Sequence, residues 1–139
     1  MDHSYIHILV AAYVVNYCLV NNLPTYSGGA DGAYNINGNV VVPDYSYRAH
    51  RPGSIYPDPV PPLFVVEVIF PTNTPKEIRE KRNIYIQAGI LYWEIYQDTQ
   101  SIDVYEPGKP PRALGINDTL DGANVLPGFT LPVKNLFPD

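Results

Sequence analysis

Two carboxylates and a lysine hold most of the chemistry this sequence could perform. Glu67 lies in the middle of LFVVEVIF (residues 63–70), a run in which every other residue is apolar. An ionised carboxylate in such a setting is costly unless a metal ion, a cation or several hydrogen-bond donors meet it. Asp44 closes a second apolar run, Val40-Val41-Val42-Pro43. If the two runs are neighbouring strands, their acids can share one ion. Hard oxygen donors point to Mg²⁺ or Mn²⁺ rather than zinc, because a magnesium site commonly takes one or two carboxylates together with water and substrate phosphate. Lys81 falls in the element that follows the Glu67 run. From there it could aim an ammonium at the acids, to orient a water or to stabilise a phosphate under attack.

Each of these residues also has a plainer reading. Glu67 could be a core glutamate held by a salt bridge, and an Asp after Pro often serves a turn or a cap. Lys81 stands one helical turn after Glu77, and such a surface pair is worth roughly a few tenths of a kcal/mol. His3, His7 and His50 could act as ligands or bases, but two fall on a predicted helix and one in a loop, so structural roles are expected. Tyr13, Tyr17, Tyr85 and Tyr92 could stack on bases, although half-buried core positions suit tyrosine better. Trp93 is expected in the core.

The elements that must position these side chains are legible in outline. Residues 3–20 run without Gly or Pro and are too long for a strand, so they read as a buried helix. Pro24, Gly28-Gly29, Asp31-Gly32 and Asn37-Gly38 then mark a loop with a hairpin. A strand is expected from Asn39 to about Arg48, with Pro43 at an edge or bulge. The proline-rich stretch from Pro52 to Pro62 reads as a mobile surface loop. LFVVEVIF, bounded by Pro62 and Pro71, reads as a central strand buried on both faces. A helix should start at Thr74, with Pro75 at its first position and Glu77 closing a capping box, and should stop at Gly89. YWEIYQD and SIDVYEP alternate around a polar turn at Thr99 and Gln100, as an antiparallel hairpin does. The tail from Gly108 should add short edge strands or wrap the domain.

The totals narrow the classes further. The 139 residues fit one domain, 1–139, and 15 prolines with 10 glycines disfavour long helical bundles. Cys18 is the only cysteine, which excludes an intramolecular disulfide and a cysteine-based zinc site. It fits a cytoplasmic location. The apolar run Ile6–Val20 is interrupted by His7, Asn16 and two tyrosines and has no positive charge before it, so neither a membrane span nor a signal peptide is expected. The net charge of −5 argues against general sequestration on nucleic acid, yet six of the nine cations lie between Arg48 and Arg82. Any phosphate-facing surface should come from that middle stretch.

Several spaced stretches then bear on family. VPDYSY, PPLFVVEVIFPTNTPKEIREKRNIYIQAGILYW and VLPGFTLPVKNLF together resemble the Uma-type restriction endonuclease family of the PD-(D/E)xK nuclease superfamily, from about Val40 onward. The pattern falls on Asp44, Glu67, Glu77, Lys81, Tyr85, Gly89, Tyr92 and Trp93. The resemblance implies an α/β, restriction endonuclease-like fold with a central mixed β-sheet flanked by helices. It also implies that Asp44 and Glu67 bind the divalent metal and that DNA is the substrate of a homodimer. Lys81 would replace the superfamily lysine found two residues after the glutamate, where this chain has Ile69. Only the ammonium position near the metal matters for that role, not the backbone that delivers it.

The chain departs from the family pattern at three places. His3 matches the histidine that opens the family's first long helix, so the segment before it is expected to be missing, with Asp2 a poor substitute for its acid. Glu77 replaces an aspartate. The turn before Tyr92 is short and lacks the customary glutamate, unless Glu94 serves. These departures leave a second expectation beside the nuclease: a module with the nuclease fold that binds or dimerises without turnover.

Overall fold

The computed structural model describes residues 5–29 and 32–138, so Asp2, His3 and Asp31 fall outside the described residues. The apolar run around Glu67 forms β5 (Phe64–Ile69), with every residue from Phe64 to Val68 buried. A strand of that composition needs partners on both edges and cover on both faces. β5 pairs antiparallel with β4 (Tyr45–Tyr47) and parallel with β6 (Leu91–Tyr96). β6 turns back into β7 (Ser101–Tyr105), which pairs with β8 (Arg112–Leu114) at one edge, while β1 (Ser27–Gly28) lies along β4 at the other. The central sheet is therefore mixed, in the order β1-β4-β5-β6-β7-β8.

The parallel pair requires a crossover, and α2 (Pro75–Gln87) supplies it. Thr74 caps this helix, its hydroxyl accepting the Glu77 amide at 3.1 Å, and Pro75 takes the first position. Gly89, at φ +72°, ends it in the left-handed region that glycine enters without steric cost.

The opposite face of the sheet is covered by α1 (Ile6–Val20). Ile6, Val10, Val14 and Cys18, each four residues apart, form its buried stripe and join Phe64, Val66, Trp93 and Ile95 in the larger core. Leu120, Phe129 and Leu131, from the hairpin of β9 (Thr119–Gly122) and β10 (Leu126–Pro132), extend that core. The helix is not buried all round, as its composition suggested: Ile8, Leu19 and Val20 are exposed. No helix among the described residues is long and apolar enough to cross a membrane.

Two other expectations are corrected. The strand expected from Asn39 to Arg48 is two short strands in different sheets. β3 (Asn39–Val41) pairs with β2 (Tyr34–Ile36) across Asn37-Gly38, both with positive φ as a type I′ hairpin turn requires. The chain then breaks at Pro43, which has no N–H to give a ladder, before β4 begins in the central sheet. The proline-rich loop, expected to be mobile, is anchored at its middle. Buried Asp58 pairs with Arg48, and its backbone bonds Ala33 and Asn35 at 3.0 and 2.9 Å.

Candidate functional site

Alternation along β5 sends Phe64, Val66 and Val68 towards α1 and places Val65 and Glu67 under α2. Asp44 directly precedes β4, whose first residue Tyr45 stands opposite Val66, so the chain break at Pro43 delivers a second carboxylate beside Glu67. The two acids are tied by backbone donors. The Val68 amide donates to Asp44 Oδ2 at 2.7 Å, and the Asp44 amide faces Glu67 Oε1 at 3.4 Å, a weak contact. Both carboxylates line one cavity of about 340 Å³, bounded on the other side by α2.

α2 adds the lysine. Lys81 Nζ lies 3.2 Å from Glu67 Oε2, so the ammonium pairs with the buried acid and not with Glu77 on its own helix. Tyr85, one turn on and therefore on the same helix face, donates its hydroxyl to that same oxygen at 2.7 Å. Glu67 Oε1 is left with the weak Asp44 contact, and both acids line the cavity. Glu77 and Glu80 stand on its rim, while Ile78 and Tyr92 contribute apolar wall.

Burial is the main force on Glu67 and pushes its carboxyl up to about 7. The Lys81 charge opposes this, the neighbouring Asp44 charge reinforces it, and the bonds from Tyr85 and Lys81 pull back down. Tyr85 is raised well above the ordinary tyrosine range by its own burial and by the Glu67 charge, so its hydroxyl stays a neutral donor. At Glu67 burial thus outweighs the Lys81 charge in contact with it, a condition that a divalent cation would relieve. Among the described residues no three His, Cys, Asp or Glu side chains gather into a closed metal cage. Two carboxylates at an open cavity suit Mg²⁺ or Mn²⁺, which keep water or substrate oxygens as their other ligands.

A second polar cluster lies next to the first; the sequence had offered Glu94 as a stand-in for the family's glutamate but not its pairing with Arg82. Glu67 on β5 is the register partner of Glu94 on β6, and Glu94 of Asp103 on β7. Three carboxylates therefore cross the sheet beneath α2. Glu94 is 0% exposed. Arg82 grips it with two hydrogen bonds, and Tyr96 donates a third at 2.7 Å. Burial and the Glu94 charge raise Asp103, whereas the bond to Glu94 holds the Arg82 guanidinium more firmly protonated than usual. The signal was present: Glu94 sits between Trp93 and Ile95, in the same kind of apolar frame that drew attention to Glu67. Glu94 is committed to Arg82 and does not line the cavity. His7 is half-buried on α1 and His50 exposed in the loop after β4, and neither lines it. Trp93 is buried, as expected; Tyr85 and Tyr92 are fully buried where half-buried positions were expected, and Tyr13 is exposed.

A mixed sheet with a helix on each face, and an acidic cavity at the end of its central strands, are the marks of a restriction endonuclease-like protein. Comparison with known proteins agrees. The chain belongs to the Uma2 family, described as "Putative restriction endonuclease", whose model matches residues 1–134. A crystal structure described as a putative nuclease belonging to DUF820, from Anabaena variabilis, is similar over 97% of this chain and 79% of that one. Its TM-score is 0.82 at 18% sequence identity, and at that identity the likeness carries the fold alone. No curated protein matches the chain.

Proposed function

We propose that this chain, read as one domain over residues 1–139, is a Mg²⁺- or Mn²⁺-dependent nuclease that hydrolyses DNA phosphodiester bonds. The observation that carries the reading is the convergence of Asp44, Glu67 and Lys81 on one cavity, with Lys81 Nζ 3.2 Å from Glu67. Asp44 and Glu67 would hold the divalent ion, which when bound supplies a Lewis acid and a more acidic water. The Val68 amide fixes the Asp44 carboxylate, and Tyr85 fixes that of Glu67. Lys81, with its amine partly exposed at the cavity, orients the attacking water or offsets charge on the phosphate. Arg51, Lys76 and Arg79 are the exposed cations available to the flanking backbone phosphates. Cleavage of both strands in one encounter needs two such sites, so the reading includes a homodimer. A cytoplasmic location fits the lone buried thiol of Cys18.

The deciding experiment is calorimetric titration of Mn²⁺ into the wild type and Glu67→Ala, followed by a nicking assay on supercoiled DNA. Binding and Mn²⁺-dependent nicking by the wild type, both lost in the variant, support the reading. Equal binding by the two proteins sinks the metal site. Binding of DNA without nicking leaves the module that lacks turnover.

A further inference from the structure

α2 delivers Lys81, and its apolar hold on the sheet is narrow, with Ile78 and Ile84 only partly buried. Of its 13 residues only Tyr85 is buried. An amphipathic helix normally takes its position from an apolar stripe; this one adds a polar grip to a short one. Arg82 Nε donates to Glu94 Oε2 at 2.7 Å and Arg82 Nη2 to Glu94 Oε1 at 2.9 Å. The guanidinium also lies 5.4 Å from the ring centre of Tyr105. Tyr85 is a second anchor, through Glu67 and through its ring, 4.9 Å from that of Tyr92, and Ile84 packs on the same core.

We propose that Arg82 is the positioning residue for Lys81: by locking α2 to β6 through Glu94, it sets where the Lys81 ammonium stands relative to Glu67 on β5. Lys81 and Arg82 are consecutive, and their two acids are register partners on adjacent strands. A helix shifts as a unit, so whatever fixes its rotation and its place along the sheet at Arg82 fixes both at Lys81. A planar, two-bond fork on a buried carboxylate can do that, because it restricts direction as well as distance. Lys81 cannot place itself: its side chain is 43% exposed and makes a single ion pair.

The catalytic consequence rests on the proposed nuclease reading, but the placement of Lys81 does not. Arg82→Lys keeps the charge and removes the fork. Trace acylation of the folded protein with acetic anhydride, read by mass spectrometry, should show Lys81 labelled roughly threefold faster or more, as local opening frees it. Lys109 and Lys134 serve as internal standards and should not change. Cleavage should fall about tenfold in kcat with KM unchanged, and Arg82→Lys should cost nothing further in a Lys81→Ala background. Unchanged Lys81 labelling overturns the proposal, as does an equal loss of rate in both backgrounds, which would mark Arg82 as structural only. Should Arg82→Lys not fold, Arg82→Met combined with Glu94→Met removes the buried charge with its partner and takes the same labelling test. A wild type that never cleaves counts against the nuclease reading, while the labelling still decides the role of Arg82.

Discussion

The Lys81 ammonium stands 3.2 Å from Glu67 Oε2, and that contact does not restore an ordinary carboxylate: burial still drives the Glu67 carboxyl up to about 7. The folded protein therefore binds a proton there that the unfolded chain, near 4.5, has released. Over that window the native state carries more protons, so stability falls as pH rises from about 4.5 to about 7.

Glu67→Gln removes this dependence. An amide oxygen can still accept from Lys81 and Tyr85, and no charge is left to desolvate. The metal-free variant should match the wild type near pH 4.5 and exceed it by roughly 1–3 kcal/mol at pH 8. Urea unfolding at the two pH values checks this. A wild type that is the more stable at pH 8 would show that Lys81 and Tyr85 outweigh burial.

A divalent ion must displace the Glu67 proton to bind. Apparent Mn²⁺ affinity should therefore rise about tenfold between pH 6 and pH 8 and then level off. At pH 6 binding should release close to one proton, measurable by calorimetry in two buffers of different ionisation enthalpy. A flat affinity over this range would place the ion away from Glu67.

The sequence made β5, α2 and the β6–β7 hairpin legible because each is written locally: an apolar run between prolines, a Thr-Pro cap, an alternating pair around a turn. Asp44 and Glu67 were singled out by burial cost and spacing and Lys81 chiefly by the family resemblance, and the structure brings all three to one cavity. The split of Asn39–Arg48 into two sheets was not readable, because nothing local says which sheet each half will join. The Arg82–Glu94 fork was missed for a related reason. It depends on the parallel register of β5 with β6 and on the rotation of α2, neither of which a single segment encodes. The exposed side of α1 escaped too, since a helix apolar all round does not reveal which stripe is inward.

Lys81→Met tests the ammonium itself. Its charge is the largest influence lowering the Glu67 carboxyl, so its loss should move the pH midpoint of Mn²⁺ binding upward. Cleavage should fall by about 10²–10³-fold, the scale seen when one group that stabilises developing charge is removed. A variant with unchanged cleavage would return Lys81 to a structural ion pair with Glu67.

Arg82→Met leaves Glu94 ionisable, fully buried and without its cation, though still bonded to Tyr96. Breaking one side of a buried pair costs about 3–5 kcal/mol, and the loss should appear in urea unfolding of the metal-free protein. Arg82→Met combined with Glu94→Met should recover most of it, because two apolar side chains need no desolvated charge between them. The recovery should be in stability alone. Without the fork, α2 regains contact with the sheet but not a fixed rotation over it, so cleavage should stay low in the stable double variant. If stability and cleavage return together, apolar packing places Lys81 as well as the ion pair does.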